Sequence, residues 1–171
     1  VIPAVAEESH GAVLVLAAGD HGALARSLLH RGRGNVIHHL RSPFVLLPPR
    51  IGPPVPLQRA VVGLDGSELA NAAASVARKL VAGIAMIAVE VLEPGALPVE
   101  EYLALVPHFA ESHVRMRGRA GVVLLSAARA MDAGLIVVGG HGRTGLRGRH
   151  LGGTAQWLSH NAARPLLIVP G

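Results

Sequence analysis

A glycine-rich segment near the end of the chain has the composition of a phosphate-binding loop. It reads Gly139-Gly140-His141-Gly142, then nine residues, then Gly152-Gly153-Thr154. An apolar run at 135–138 precedes it and a helical pattern follows, so the loop joins a buried strand to a helix N-terminus. Helix N-termini attract phosphate because their first N–H groups are unpaired, and glycines let the backbone approach closely. A plain tight turn is the alternative that these glycines leave open.

The charge distribution suits the same kind of ligand. All but one of the 16 Lys and Arg residues are arginine, and no Asp or Glu follows Asp132. Four arginines lie in this acid-free part: Arg143, Arg147, Arg149 and Arg164. A basic segment of this kind fits a phosphate-bearing ligand or nucleic acid, and an arginine-rich solvated surface has the same composition. Nucleic acid is disfavoured because stacking aromatics and a recognition-helix pattern are both missing.

Asp65 is the carboxylate best placed to contact a ligand. It follows the apolar run at 59–64 and opens the turn Asp65-Gly66-Ser67, which is a helix-start signal. Open α/β sheets bind ligands at the carboxyl ends of their strands, so this position favours ligand contact. The alternative role is that of a turn or helix-cap carboxylate. We assign Ser67 to capping of the following helix.

No pattern in the sequence predicts a metal site or a catalytic centre. His38 and His39 are adjacent, HExxH-type spacing does not occur, and no nucleophile–base–orienter set is present. The absence of cysteine excludes disulfides and thiol catalysis and fits a reducing cytoplasm. No apolar run reaches membrane-spanning length, and no secretion signal is evident at residues 1–8. We therefore expect a cytoplasmic protein without a membrane partner.

Strands and helices alternate along the second part of the chain. Strands are predicted at 59–64, 84–91, 108–117, 135–138 and 166–169, and helices at 69–80, 100–105, 120–131 and 153–161. The strands are continuous apolar runs, which is typical of a mainly parallel sheet covered on both faces. We therefore predict one α/β domain over residues 59–171, with a five-stranded open sheet and helices on both faces.

An internal repeat predicts a partial second copy before this domain. Gly19, Gly22 and Gly32 have the spacing of Gly139, Gly142 and Gly152, and residues 42–48 echo residues 164–170. Residues 1–50 therefore look like the last helix–strand–loop–helix–strand portion of such a domain, and the proline-rich residues 51–58 are the linker.

The segment from 135 to 146 is very similar to the signature of the universal stress protein family. Nucleotide-binding members of that family carry Gly, two residues, Gly, nine residues, then Gly followed by Ser or Thr. Gly139, Gly142 and Gly152 keep this spacing, whereas Gly153 replaces the hydroxyl residue and Thr154 comes one place later. Residues 61–67 and 90–94 also resemble the family's first strand and turn and the end of its second strand. The resemblance is weakest between 94 and 107.

The resemblance implies a fold like that of the adenine nucleotide alpha hydrolases and a module that binds adenine nucleotide, ATP first, with or without Mg²⁺. Its role would be regulatory or protective in stress, with at most slow ATP hydrolysis. The residues expected in binding are Gly63, Asp65, Val91, Val138, Gly139, His141, Gly142, Arg143, Gly152, Gly153 and Thr154. For His141, packing within the loop is the alternative role. Asp65 would accept hydrogen bonds from ribose or adenine, Val91 and Val138 would pack beside the base, and the glycine amides would bind phosphates.

Two departures keep a second function open. The hydroxyl missing at Gly153 removes a hydrogen bond to a charged oxygen that is worth roughly 1.5–3 kcal/mol. In the partial copy, Arg33 occupies the corresponding position, so that copy is not expected to bind nucleotide alone. An interaction or dimerisation module of the same fold, without nucleotide, is the alternative.

The resemblance also implies association through the last strand of each copy. Phe44–Leu47 and Leu166–Val169 are these strands, and we predict that they pair across a pseudo-twofold axis. The strand at 13–17 would then leave an apolar edge exposed. We therefore expect a homodimer or a larger assembly.

Overall fold

The computed structural model describes residues 13–17, 40–47, 53–92, 112–141 and 151–171. In chain order, the elements in these ranges are β1 (Leu14–Ala17), β2 (Phe44–Leu47), β3 (Arg59–Leu64), α1 (Glu68–Leu80), β4 (Ala85–Leu92), β5 (Ser112–Arg117), α2 (Ala120–Ala130), β6 (Leu135–Gly139), α3 (Gly153–Asn161) and β7 (Leu166–Val169). The short helix predicted at 100–105 and most of the loop–helix part of the partial copy lie outside them.

The described strands form one sheet in the order β1-β2-β7-β6-β3-β4-β5. The five strands from β7 to β5 are all parallel, which confirms the predicted five-stranded sheet of residues 59–171. Chain order reverses between β6 and β3. The carboxyl ends of these two strands are therefore the topological switch point, where open α/β sheets bind ligands.

Both faces of the central strands are covered. Val61, Val62, Ile136 and Val137 have no exposed surface, which explains why their strands read as continuous apolar runs. One core cluster lies on the face covered by α2 and α3, and the other on the face covered by α1. On the α1 side the helix contributes only alanines to the fully buried layer, namely Ala70, Ala73, Ala74 and Ala77. Small side chains allow that helix to pack close to the sheet.

The turn between β3 and α1 is built by two side chains. The Ser67 Oγ accepts a hydrogen bond from the Ala70 amide at 3.1 Å, which confirms the predicted helix cap. The Asp65 Oδ1 accepts a hydrogen bond from the Ser67 amide at 3.0 Å. Gly66 between them has a positive φ of 78°. Asp65 therefore has a role in the turn as well as a position at the end of β3.

The sheet continues from residues 59–171 into the N-terminal part of the chain. β2 pairs antiparallel with β7, with Phe44 opposite Ile168 and Leu46 opposite Leu166, as predicted for the two final strands. β1 then pairs in parallel with β2, just as β6 pairs in parallel with β7. Phe44 and Leu46 are fully buried. The β2–β7 junction is therefore part of the core.

The last features of the fold are the edge strand β1 and the segment before β3. β1 is the strand at one edge, and Val15 on it is 57% exposed. The Arg164 Nη1 donates to the Pro53 carbonyl at 2.9 Å, which ties the segment before β3 to the segment before β7. None of the helices in the described ranges is both long enough and apolar enough to cross a membrane.

Candidate functional site

A cleft of about 830 Å³ opens at the carboxyl ends of β3, β4 and β6. The strands and the turns that follow them contribute Gly63, Leu64, Asp65, Val91, Val138, Gly139, Gly140 and His141. The helices contribute Ala70 from α1, Ala120, Gly121, Val122 and Leu124 from α2 with Arg119 just before it, and Thr154, Ala155 and Trp157 from α3 with Gly152 and Gly153 at its start. The cleft therefore lies at the switch point of the sheet.

Most of the residues predicted from the sequence meet in this cleft. Those that line it are Gly63, Asp65, Val91, Val138, Gly139, His141, Gly152, Gly153 and Thr154. The other two, Gly142 and Arg143, lie outside the described ranges. Residues from four separate parts of the chain are thus brought together because parallel strands end at the same edge of the sheet.

Gly63 and Asp65 line the cleft at the end of β3. A Cβ atom on Gly63 would lie 2.9 Å from the Leu124 Cδ1, so a larger residue would collide with α2. Asp65 is half-buried, and its hydrogen bond with the Ser67 amide holds the carboxylate at the rim of the strand. It is the only Asp or Glu among the described residues that line the cleft.

The two ends of the glycine loop are joined by backbone hydrogen bonds. The Gly140 amide donates to the Val169 carbonyl at 2.7 Å, and the Gly152 amide donates to the Gly140 carbonyl at 2.6 Å. The Gly152 amide, which the family resemblance assigns to phosphate, is therefore already paired inside the loop. Gly152 instead serves as the N-cap residue of α3.

The start of α3 presents backbone donors to the cleft. Gln156 makes the first intrahelical bond, to the Gly152 carbonyl, so the amides of Gly153, Thr154 and Ala155 have no acceptor within the helix. No side chain caps this end, and the first turn has no acidic residue. Both features leave the positive end of the helix dipole available to an anion.

His141 has a buried ring nitrogen that needs a partner. Its Nε2 is inaccessible to solvent and makes no hydrogen bond to any described residue. A buried polar atom left without a partner costs about 1–3 kcal/mol. His141 lines the cleft, but this nitrogen is buried, so the ligand contact stays a prediction beside the packing role in the loop.

One wall of the cleft was missed by the sequence reasoning. It consists of Arg119, Gly121, Val122 and Leu124 near the start of α2, and of Trp157 in α3. A Cβ on Gly121 would lie 2.5 Å from the Trp157 Cε3, so the indole can pack against α2 only because residue 121 has no side chain. A glycine inside an Ala- and Leu-rich helix is a poor helix former, and it was the signal that could have pointed to this contact.

No metal site is evident in the described part of the chain, where no group of three or more His, Asp or Glu residues is arranged to hold an ion.

The sheet and its cleft define an open, doubly wound α/β domain with a glycine-rich strand–loop–helix segment at the switch point. Residues 96–170 match the model of the Universal stress protein family. The chain is 30% identical over 192 residues to the universal stress protein Rv2005c of Mycobacterium tuberculosis, and this match covers 98% of the chain. It is 28% identical over 200 residues to Rv1996 of the same organism, with 99% of the chain covered. Residues 96–170 therefore carry a domain of the Universal stress protein family, and the curated relatives that match most of the chain are universal stress proteins.

The chain spans only part of these relatives, 65% of the length of Rv2005c and 62% of Rv1996. Among solved structures, a universal stress protein from Archaeoglobus fulgidus has a TM-score of 0.63 at 19% identity and covers 98% of this chain with 65% of its own. A universal stress protein in complex with cAMP has a TM-score of 0.52 at 22% identity and covers 66% of this chain with 96% of its own. At these identities the likeness shows the fold.

Proposed function

We propose that residues 59–171 form a universal stress protein module that binds adenine nucleotide, with ATP as the expected ligand. The observation that carries this proposal is the cleft at the switch point, which combines Asp65, the apolar Val91 and the unpaired amides at the start of α3. A structure of the same fold solved in complex with cAMP supports the adenine nucleotide class. The cellular role we propose is regulatory or protective, and the compartment is the reducing cytoplasm.

The ligand has a defined direction in this proposal. Its phosphates lie at the start of α3, where backbone donors and the helix dipole favour negative charge. Its ribose lies near Asp65, which accepts hydrogen bonds from hydroxyl groups. Its base packs beside Val91 and Val138.

The single tryptophan of the chain gives a direct test. Trp157 lines the cleft, so titration with ATP, ADP, AMP or cAMP should give a saturable change in intrinsic fluorescence. Calorimetry, carried out with and without Mg²⁺, should give for each condition the same dissociation constant as the fluorescence titration. A turnover assay on the same samples should detect at most slow ATP hydrolysis. The proposal would be overturned if millimolar nucleotide gave no fluorescence change and no binding heat.

The second candidate function is an interaction module that binds no nucleotide. Two observations favour it: Gly153 lacks the hydroxyl found in nucleotide-binding relatives, and the Gly152 amide is already paired with the Gly140 carbonyl. Mass spectrometry of the purified, denatured protein separates the two candidates. Co-purified nucleotide supports the first. Its absence, together with fluorescence and calorimetric titrations that detect no binding, supports the second.

We also propose that residues 1–50 are the back half of a second family copy and residues 51–58 its linker. The β1–β2 ladder supports this, since Leu14 and Phe44 are separated along the chain by as many residues as Ile136 and Leu166 in the β6–β7 ladder. A further support is that the universal stress protein UspA of Lactobacillus plantarum matches 66% of this chain with 97% of its own. The homodimer expected through the exposed β1 edge remains part of this proposal.

A further inference from the structure

Arg119 occupies a position that breaks two rules of helix starts. It is the N-cap residue of α2, yet it makes no side-chain capping bond. N-caps are normally Ser, Thr, Asp, Asn or Gly, and a positive charge is disfavoured there by the helix dipole. α1 follows both rules, with Ser67 as its cap and Glu68 in its first turn. Departures from local rules are expected where a residue serves function.

No structural role explains Arg119, in contrast to three other arginines of the described ranges. The Arg115 Nε pairs with the Glu90 Oε2 at 3.0 Å, and the Arg59 Nη1 donates to the Met131 carbonyl at 3.2 Å. Arg164 holds the segment before β3. The Arg119 carbonyl accepts the Val123 amide as the first bond of α2, but its side chain makes neither an ion pair nor a hydrogen bond with any described residue, and the residue is exposed. Among the described Lys and Arg residues, it alone lines the cleft.

Gly118 determines where Arg119 lies. Its φ of 141° favours glycine, and a Cβ there would lie 2.9 Å from the Val123 Cγ2. Its amide donates to the Leu92 carbonyl at 3.1 Å, which joins the start of α2 to the end of β4. Arg119 and Val91 therefore both line the cleft on the β4 side of β3, whereas α3 begins on the β6 side. The cleft thus has an end with backbone donors at α3 and a second end at Arg119.

We propose that Arg119 stacks on the nucleobase of the bound ligand and is a binding residue for that end of the nucleotide. This inference rests on the proposed function. A guanidinium is planar and stacks on aromatic faces, which an ammonium group cannot do in the same way. Val91, Val122 and Leu124 give the same end of the cleft the apolar surface that a planar base requires. Because Arg119 lines the β4 side of the cleft and the phosphates are proposed at α3, the base is the part of the ligand within its reach.

The test compares R119A and R119K with R129A, using ATP, adenosine and inorganic tripolyphosphate as probes. Arg129 is the matched control because it is an exposed arginine in the last turn of the same helix and does not line the cleft. We expect R119A to weaken ATP and adenosine binding by a similar factor, about three- to thirtyfold, and to leave tripolyphosphate binding unchanged. R119K should lose nearly as much, because charge without a planar group does not stack. R129A should bind all three probes like the wild type.

Three results would overturn the inference while leaving nucleotide binding in place. They are unchanged ATP binding in R119A, a tripolyphosphate loss as large as the ATP loss, and full rescue by R119K. A wild-type protein that binds none of the three probes would overturn the proposed function and this inference with it. Far-UV circular dichroism and urea unfolding of each variant identify any loss that comes from misfolding.

Discussion

Asp65 shows how one side chain can belong to both a turn and a binding site. Its Oδ1 accepts the Ser67 amide before α1, and the residue lines the cleft at the end of β3. Sequence reasoning offered these as alternatives, and the structure places both environments around the same carboxylate. Mutations must therefore separate the turn from the ligand.

Asp65→Asn and Asp65→Ala make that separation. The amide oxygen of Asn can still accept from Ser67, so we expect the free energy of unfolding of D65N to stay within about 0.5 kcal/mol of the wild type, while D65A loses about 0.5–1.5 kcal/mol. Both should bind ATP about tenfold or more weakly, because a charged acceptor is lost. Urea unfolding and Trp157 fluorescence titration measure the two quantities. Asp132→Asn, at an exposed position away from the cleft, is the control. Wild-type affinity in both variants would remove Asp65 from the site.

Gly153 is a position where the site can be improved. Nothing lies within 4 Å of a Cβ added there, so a side chain fits without collision. We predict that Gly153→Ser tightens ATP binding by about tenfold, since a hydrogen bond to a charged oxygen is worth about 1.5–3 kcal/mol. Gly153→Ala controls for the gain in helix propensity alone. If the two variants bind alike, Thr154 already supplies the hydroxyl or the phosphates lie elsewhere.

At the scale of elements, the contact between Gly121 and Trp157 joins α2 to α3 at the cleft. A Cβ on Gly121 would collide with atoms of the six-membered ring of the indole. Gly121→Ala should therefore destabilise the protein by about 1–3 kcal/mol through overpacking. In a Trp157→Phe background the same change should cost less, because the smaller ring lacks the colliding atoms. Urea unfolding followed by circular dichroism gives the double-mutant cycle, and strict additivity of the two changes would contradict this contact.

The elements that were predicted correctly are those with local signals. Continuous apolar runs predicted the parallel strands, and the Asp65-Gly66-Ser67 turn predicted the start of α1. The pairing of β2 with β7 was predicted from the internal repeat together with the family resemblance. The cleft wall formed by the start of α2 and by Trp157 was not predicted. Helical periodicity indicates which residues of α2 face the core, but it does not indicate that the start of this helix lies beside the cleft. The pairing of the Gly152 amide was missed for a similar reason. Its acceptor on Gly140 is brought near only when the loop closes.

At the scale of the whole molecule, the β2–β7 junction predicts how a shortened protein should behave. Residues 57–171 alone would expose the β7 edge, including the groups that now pair with Phe44 and Leu46. Unpaired apolar edges recruit other strands. Because Val45 lies opposite Leu167 in an antiparallel ladder, a second β7 can take the place of β2. We predict that this fragment forms a dimer, as measured by light scattering over a range of concentrations.

The whole chain provides the comparison. Its β7 is paired, so association should depend on the exposed β1 edge, where a lysine would discourage strand pairing. Val15→Lys should therefore abolish association of the whole chain. The fragment of residues 57–171 lacks β1, so its dimer cannot depend on this edge. A fragment that stays monomeric, or a whole chain whose association is unaffected by V15K, would show that these edges do not govern assembly.

Carrying both strands in one chain also changes how the β2–β7 junction responds to dilution. Two separate subunits that meet through their last strands come apart when their concentration falls below the dissociation constant. A tethered strand meets its partner at an effective concentration that can be on the order of millimolar, whatever the concentration of the protein itself. The junction should therefore persist at nanomolar abundance, and a cell could lower the copy number of this protein without changing its folded form.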